Sequence, residues 1–405
     1  MTLVPTISLC LLAGTASAFE IDEFFDRVDQ ALTFSAFDEN VRARVSGTVD
    51  LELYHFEQPA PGLIDSEIDT LFNPRLTVFL DTQIGSHVYV FVQSRLDRGF
   101  DPSDHGAQVR ADEYALRVTP WDDSRFTLQV GKFATVVGNW VPRHLSWDNP
   151  FINAPLPYEN ITAVSDKSAP ASARDFVGRF EREKYEFVPV IWGPSYASGI
   201  SVSGRLGKLD YAAEVKNASL SSRPESWSPS AGGFDQPTGS ARFGFRPAEP
   251  WNFGVSISDG AYFRSEAQPT LPAGRDTDDY REFVLGQDIS YAVRHWQVWA
   301  EFYEARFQVP RAGDADTFAY YLEAKYKFAP QWFAALRWNQ QFFSNIDSRT
   351  GSDVQWGPDL ARIEVAAGYR FTSHTQLKVQ YSYQHETSGA HDDNHLLATQ
   401  LTVRF

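Results

Sequence analysis

The chain has 405 residues and a formal net charge of −16, with 36 Lys plus Arg against 52 Asp plus Glu, a balance that argues against nucleic acid as a partner. Mean hydropathy is −0.34, and no apolar run reaches the roughly 20 residues of a spanning helix. That excludes a helical membrane protein but not a β-barrel, in which only every second strand residue meets lipid.

Residues 3–14, "LVPTISLCLLAG", form a short apolar run followed by Ala16 to Ala18 in the small-x-small pattern of a secretory cleavage site. Residues 1–18 are therefore expected to be a signal peptide. Cys10, the single cysteine, lies within it, leaving no disulfide, thiolate metal site or cysteine nucleophile in the mature chain. In "FEIDEFFDRVDQALTF" (19–34), Ile21, Phe24, Phe25, Val28 and Leu32 recur at helical spacing. Residues 19–42 are expected to be a periplasmic segment or short amphipathic helix; plugging the lumen is the sharper alternative.

From residue 43 onward the apolar period is two. Val45, Val49, Leu51 and Leu53 share a face, then Leu76, Val78 and Leu80, then Val88, Val90, Val92 and Leu96. The rule continues through Phe253, Val255 and Ile257, through Phe318, Tyr320, Leu322, Ala324 and Tyr326, to Leu397, Leu401, Val403 and Phe405. Roughly sixteen strands of about 10–12 residues result, the span of a tilted transmembrane strand. Short connections (85–86, 121–124, 207, 247–250, 294–295, 329–330, 372–374) alternate with longer ones near 57–71, 99–108, 136–197, 218–238, 262–280, 307–316, 344–360 and 387–395. That alternation is the signature of an up-and-down meander. Trp251, Trp296 and Trp332 begin strands just after short turns, and Tyr291, Phe328, Phe371 and Phe405 end them there. A ring of aromatics at one height is what a membrane interface requires, and a soluble sandwich has no reason to build it. The fold class is therefore all-β: a closed antiparallel up-and-down transmembrane barrel over residues 43–405, of about sixteen strands, or eighteen if part of 180–192 forms an extra pair.

The inward alternates include Arg95, Glu113, Arg117, Arg337, Arg362 and Arg370; charges on one face at this regularity suit a wet lumen. Bracing of the wall by cross-strand pairs is the plainer use of most of them. The connection after strand five is the outlier in length. Its first part is rich in Pro and aromatics and its second in charge, so it reads as an ordered loop. Asp-rich loop pieces, including His391 and His395 in "HDDNH", lack the spacing of a calcium loop, and no metal or cofactor is assigned.

The last strand, ending Leu401, Val403, Phe405, resembles the C-terminal signature of Gram-negative outer-membrane β-barrel proteins, and with the sixteen-strand architecture the chain resembles the porins. The resemblance implies a cell outer membrane location, contact with lipid and lipopolysaccharide, reading of the last strand by the barrel-assembly machinery, and a homotrimer. It also implies that the loop after strand five folds into the barrel, making Arg143, His144, Asp148, Arg174, Arg179, Arg182 and Lys184 candidate constriction residues, because fixed charges at a narrowing act through little screening water. The expected role is passive diffusion of small hydrophilic solutes or ions, without enzymatic activity. The alternatives are a sheath for an export or electron-transfer partner, and an outer-membrane hydrolase, which would need a His beside a Ser or carboxylate; His55 and His87 stand alone.

Overall fold

The structure is a computed structural model that describes residues 15–64, 66–98, 107–181, 184–224, 233–347, 353–387 and 393–405. Sixteen strands form the wall. They are β1 (Val41–Phe56), β2 (Thr70–Ile84), β3 (Val88–Asp97), β4 (Gln108–Val118), β5 (Thr127–Phe133), β6 (Ala197–Leu206), β7 (Leu209–Lys216) and β8 (Thr238–Phe245). The rest are β9 (Trp251–Ala261), β10 (Arg281–Val293), β11 (Trp296–Val309), β12 (Gly313–Tyr326), β13 (Trp332–Phe343), β14 (Leu360–Arg370), β15 (Thr375–Glu386) and β16 (Asp393–Arg404). Each pairs antiparallel with its sequence neighbours, and β16 returns to β1, from Leu396 opposite Phe56 to Arg404 opposite Thr48. Closure leaves the wall no unpaired edge, which the hydrocarbon layer demands. The eighteen-strand alternative is not what forms: among the described residues, no strand lies in 134–196.

The seam shows why the chain closes where it does. Phe405 and Gly47 exchange backbone hydrogen bonds of 3.0 and 2.9 Å. A Cβ on Gly47 would stand 2.6 Å from the Phe405 ring and 2.7 Å from the Thr77 carbonyl oxygen, so only glycine lets the terminal ring lie over β1. Below it a short strand, Thr33–Ala36, continues on the same edge, pairing with Val41–Arg44. The sequence pattern did not disclose that strand. Inside the seam, Arg75 meets Asp50 at 3.2 Å and Glu52 at 2.6 Å, while Thr402 and Gln400 each donate to one of these carboxylates at 2.6 Å.

Lipid-facing positions carry the expected alternation. On β12, Phe318, Tyr320, Leu322, Ala324 and Tyr326 point out, and Ala319, Tyr321 and Glu323 are buried inside. At the short turns, Trp251 stands opposite Tyr291, Trp296 opposite Tyr326 and Trp332 opposite Tyr369, with ring centroids 4.4–4.5 Å apart. These cross-strand pairs form the aromatic girdle.

Toward the long loops the pattern inverts. On β11 the outward residues become Glu304, Arg306 and Gln308, and Tyr303, Ala305, Phe307 and Val309 are buried inside. Outward ion pairs, Arg306 with Asp316 at 2.7 Å and Arg281 with Asp259, lie at this level. Strands whose outward face turns polar in this way leave the apolar layer and continue into water. The expected long connection at 307–316 is accordingly a three-residue turn between Val309 and Gly313: its alternating residues have a core to pack against, so they stay in strand, and Arg311 takes the turn at φ +62°.

The first helix, α1 (Thr15–Ala31), begins earlier than residue 19 and contacts the short-turn rim. His374 contacts Asp26 at 3.0 Å and stacks on Phe25 at 5.5 Å, and Arg44 meets Asp29 at 2.8 Å.

Candidate functional site

The 134–196 connection lies inside the barrel. It leaves β5 through Gly138, whose φ of +78° and close neighbours exclude a side chain: a Cβ there would stand 2.2 Å from the Tyr303 hydroxyl. The next backbone amides, of Asn139 and Trp140, donate to Glu301 on the opposite wall, the second at 2.7 Å. Tyr158, in the short helix α2 (Leu156–Glu159), donates to the same carboxylate at 2.6 Å. Pro155 and Pro157 flank the start of this helix, and α3 (Ala173–Val177) starts at Ser172, whose hydroxyl accepts from the Asp175 amide at 3.1 Å. The loop is thus ordered by its own sequence as well as by the wall.

Three inward cations latch the segment 146–160. Lys378 donates to the carbonyls of Ser146, Asn149 and Phe151 at 2.8, 3.0 and 3.1 Å. Arg337 reaches the carbonyls of Asn153 and Ala154 at 3.0 and 3.1 Å and lies 4.2 Å above the Phe151 ring. Arg362 pairs with Glu159 at 2.5 Å and donates to the Ala154 carbonyl at 2.8 Å. Each is at most 1 % exposed. Carbonyls that the loop would otherwise bury unpaired are satisfied by inward cations of the wall, of which Arg337 and Arg362 also pair with wall carboxylates.

Arg143 donates to Glu323 at 2.6 Å and to Tyr321 at 3.0 Å, with its guanidinium 4.2 Å from the Trp299 ring; these acceptors hold it charged well above the usual arginine range despite burial. His144 donates Nδ1–H to the Val141 carbonyl at 2.5 Å, leaving Nε2 to accept from Tyr196 at 2.7 Å. Burial, aided by nearby Arg95, pushes this imidazole down to about 4. Asp148 is exposed at the loop's lower tip.

The other sequence candidates fall into separate places. Arg95 and Asp112 pair at 3.0 Å, and Glu113 accepts from the Ala134 amide at 2.6 Å where the loop begins. A β-bulge opposite Gln93 and Ser94 leaves Asp112 as the extra residue, so two successive carboxylates point inward. Arg117 lies over Tyr89 and Phe91 and donates to Gln129 at 2.8 Å. Arg370 faces Trp147 at 4.9 Å. Arg174 is exposed on α3, Arg179 donates to the Ser168 carbonyl at 3.1 Å, and Lys184 donates to the Ile64 carbonyl at 2.8 Å. These three stand toward the long-loop end, apart from Arg143 and Asp148. Arg182 and His391 lie outside the described residues.

Sequence reasoning missed the apolar cluster that the loop builds inside the long-loop half of the barrel. There Phe176, Ile191, Tyr262, Phe307, Phe343 and Trp356 are buried together, with Phe176 stacked on Trp356 at 5.5 Å. An expected wet lumen is, in this half, a packed interior. The available signal was the excess of aromatics in the loops themselves.

No protein-family model matches the sequence, and no curated protein does. Solved structures do match. An outer-membrane protein of Vibrio cholerae, OmpT, is 12% identical with a TM-score of 0.56, covering 92% of this chain and 99% of its own. The anion-selective porin of Comamonas acidovorans is 10% identical with a TM-score of 0.55, covering 90% and 100%. The outer-membrane channel DcaP of Acinetobacter baumannii is 10% identical with a TM-score of 0.56, covering 92% and 99%. The fold is the closed barrel of the sixteen-stranded porins.

Proposed function

We propose that this porin-fold barrel is a passive diffusion channel for small hydrophilic solutes, its bore set by the 134–196 loop. One observation carries the reading: a loop held across the inside of the wall by Arg337, Arg362, Lys378 and Glu301. Fixing a narrowing in place uses buried charges, which a barrel serving only as a membrane anchor would have no need of. Two neighbours are described as an anion-selective porin and an outer-membrane channel, which supports the same class. One solved form of the Vibrio protein is a trimer, and we propose a homotrimer here too. We propose no catalytic role, since His144 spends both ring nitrogens on loop contacts. Residues 1–18 remain proposed as a cleaved signal, and the Phe405 strand as the segment that the assembly machinery reads.

Liposome swelling tests the channel. Vesicles carrying refolded protein should swell in isotonic small sugars at rates that fall steeply with sugar size. Folded protein that swells vesicles no faster than lipid alone would overturn the reading.

A further inference from the structure

Beneath the inserted loop, at the short-turn end of the lumen, lies a cavity of about 550 Å³ whose lining includes Arg143, Asp148, Lys325 and Arg370. Arg143 is already committed to Glu323. The remaining cations are not committed. Lys325, near the end of β12, forms no hydrogen bond or ion pair among the described residues; its Nζ stands 4.5 Å from the Phe333 ring. Arg370 and Arg404 face the two-ring system of Trp147 at 4.9 and 4.1 Å. Each spends only Nε on protein, Arg370 on Gln376 at 2.9 Å and Arg404 on the Ser373 carbonyl at 2.7 Å. Among the described residues neither forms an ion pair. Arg294 and Lys327 extend the same sign along the rim, and Asp148 is the one acid in the cavity lining.

This departs from the rest of the lumen. Several inward cations elsewhere are matched by acids: Arg75 by Asp50 and Glu52, Arg242 by Asp210 and Asp288, Arg337 by Glu323 and Glu364. In a chain of net charge −16, three cations that form no direct ion pair among the described residues face Asp148 as the one acid of the cavity lining, an excess of positive charge that an anionic solute would offset. Guanidinium forks placed against an indole and with both terminal nitrogens unspent can receive a planar or tetrahedral oxyanion.

We propose that Lys325, Arg370 and Arg404 form a binding subsite for small oxyanion solutes, carboxylate or phosphate, at the periplasm-facing exit of the lumen. The proposal rests on the channel reading and names the charge class the channel favours. Solute passing the loop meets this subsite on the short-turn side, so anions added from that side should occupy it first.

The test is isothermal titration of the detergent-solubilised full chain with succinate and, separately, with inorganic phosphate. It is paired with planar-bilayer recordings in a potassium chloride gradient with either anion on one side. Saturable binding is expected, with block of chloride current stronger from the short-turn side. Because a hydrogen bond to a charged group is at stake, Lys325→Gln and Arg370→Gln should each weaken binding about tenfold or more. Lys325→Arg should retain it and provides the readout if Lys325→Gln does not fold. Response to one anion only identifies the solute chemistry. Absence of binding by either anion, or affinity unchanged in both Gln variants, overturns the subsite. Binding without conductance steps would instead overturn the channel reading and leave the subsite standing.

Discussion

The latch between Arg362 and Glu159 makes the sharpest prediction about the loop. The pair is 2.5 Å long, with side chains 1% and 7% exposed. Replacing Arg362 by Met leaves the Glu159 charge buried with only the Ala154 amide at 3.1 Å and a long contact to Asn153. Breaking a buried pair from one side costs about 3–5 kcal/mol, a shift in the docked-to-released ratio of roughly a hundred- to several-thousand-fold. Glu159→Gln should cost less, since Arg362 keeps the Ala154 carbonyl at 2.8 Å and Glu364 at 3.5 Å. The double variant removes both charges and should lose about 2 kcal/mol or more less than the sum of the singles. Hydrogen exchange of residues 146–160 reads the release, and single-channel conductance reads its effect on the bore. Arg362→Met should raise both exchange and conductance, Glu159→Gln should do so less, and the double should return toward wild type. Additive losses, or wild-type exchange in Arg362→Met, would refute a loop held by this pair.

Other outcomes follow from the same geometry. Gly47→Ala should weaken closure by about 1–3 kcal/mol, read as a lower urea midpoint, because its Cβ meets both a ring and a carbonyl. Gly138→Ala should fold as a barrel but raise hydrogen exchange of residues 138–160, since its methyl would occupy the space of the Tyr303 hydroxyl. For His144 the released loop binds a proton near the ordinary 6.5, and the docked loop only near 4. Docking therefore keeps its full stability above about pH 6.5 and loses up to about 3 kcal/mol as pH falls to about 4. Protease sensitivity of the loop should rise over that window, and His144→Asn should flatten the dependence. Trp296→Ala should lose about 2–3 kcal/mol of barrel stability to urea, combining lost burial with the Tyr326 ring pair.

Strand number and closure were legible because alternation is local: each Val-x-Val or Phe-x-Tyr pair reports its own face, and girdle residues such as Trp296 and Trp332 mark the height. Where a strand leaves lipid was not legible. Alternation puts Phe302 outward with Trp296 and Val298, but that the opposite face is apolar beyond it, with Tyr303, Phe307 and Val309 buried, depends on the loop packed inside the barrel. The short strand Thr33–Ala36 escaped for a related reason, since four residues with no apolar alternation are held only by the edge β1 offers. The loop's position after β5 could be read from its length. Its latches could not, because Lys378 lies more than two hundred residues from the carbonyls it satisfies, and no sequence period connects them. The cations at 325, 370 and 404 look in sequence like any other inward charge; what separates them is that they form no direct ion pair and outnumber the one acid, Asp148, that faces them, a property of the assembled space.

A closed barrel with a conducting path beside its inserted loop should show itself in single-channel recording of the refolded wild-type chain in planar lipid bilayers. Discrete, reproducible current steps that scale with salt concentration are expected. A chain shown to be folded by its heat-shifted gel mobility, yet giving no steps at any salt or voltage, would contradict it.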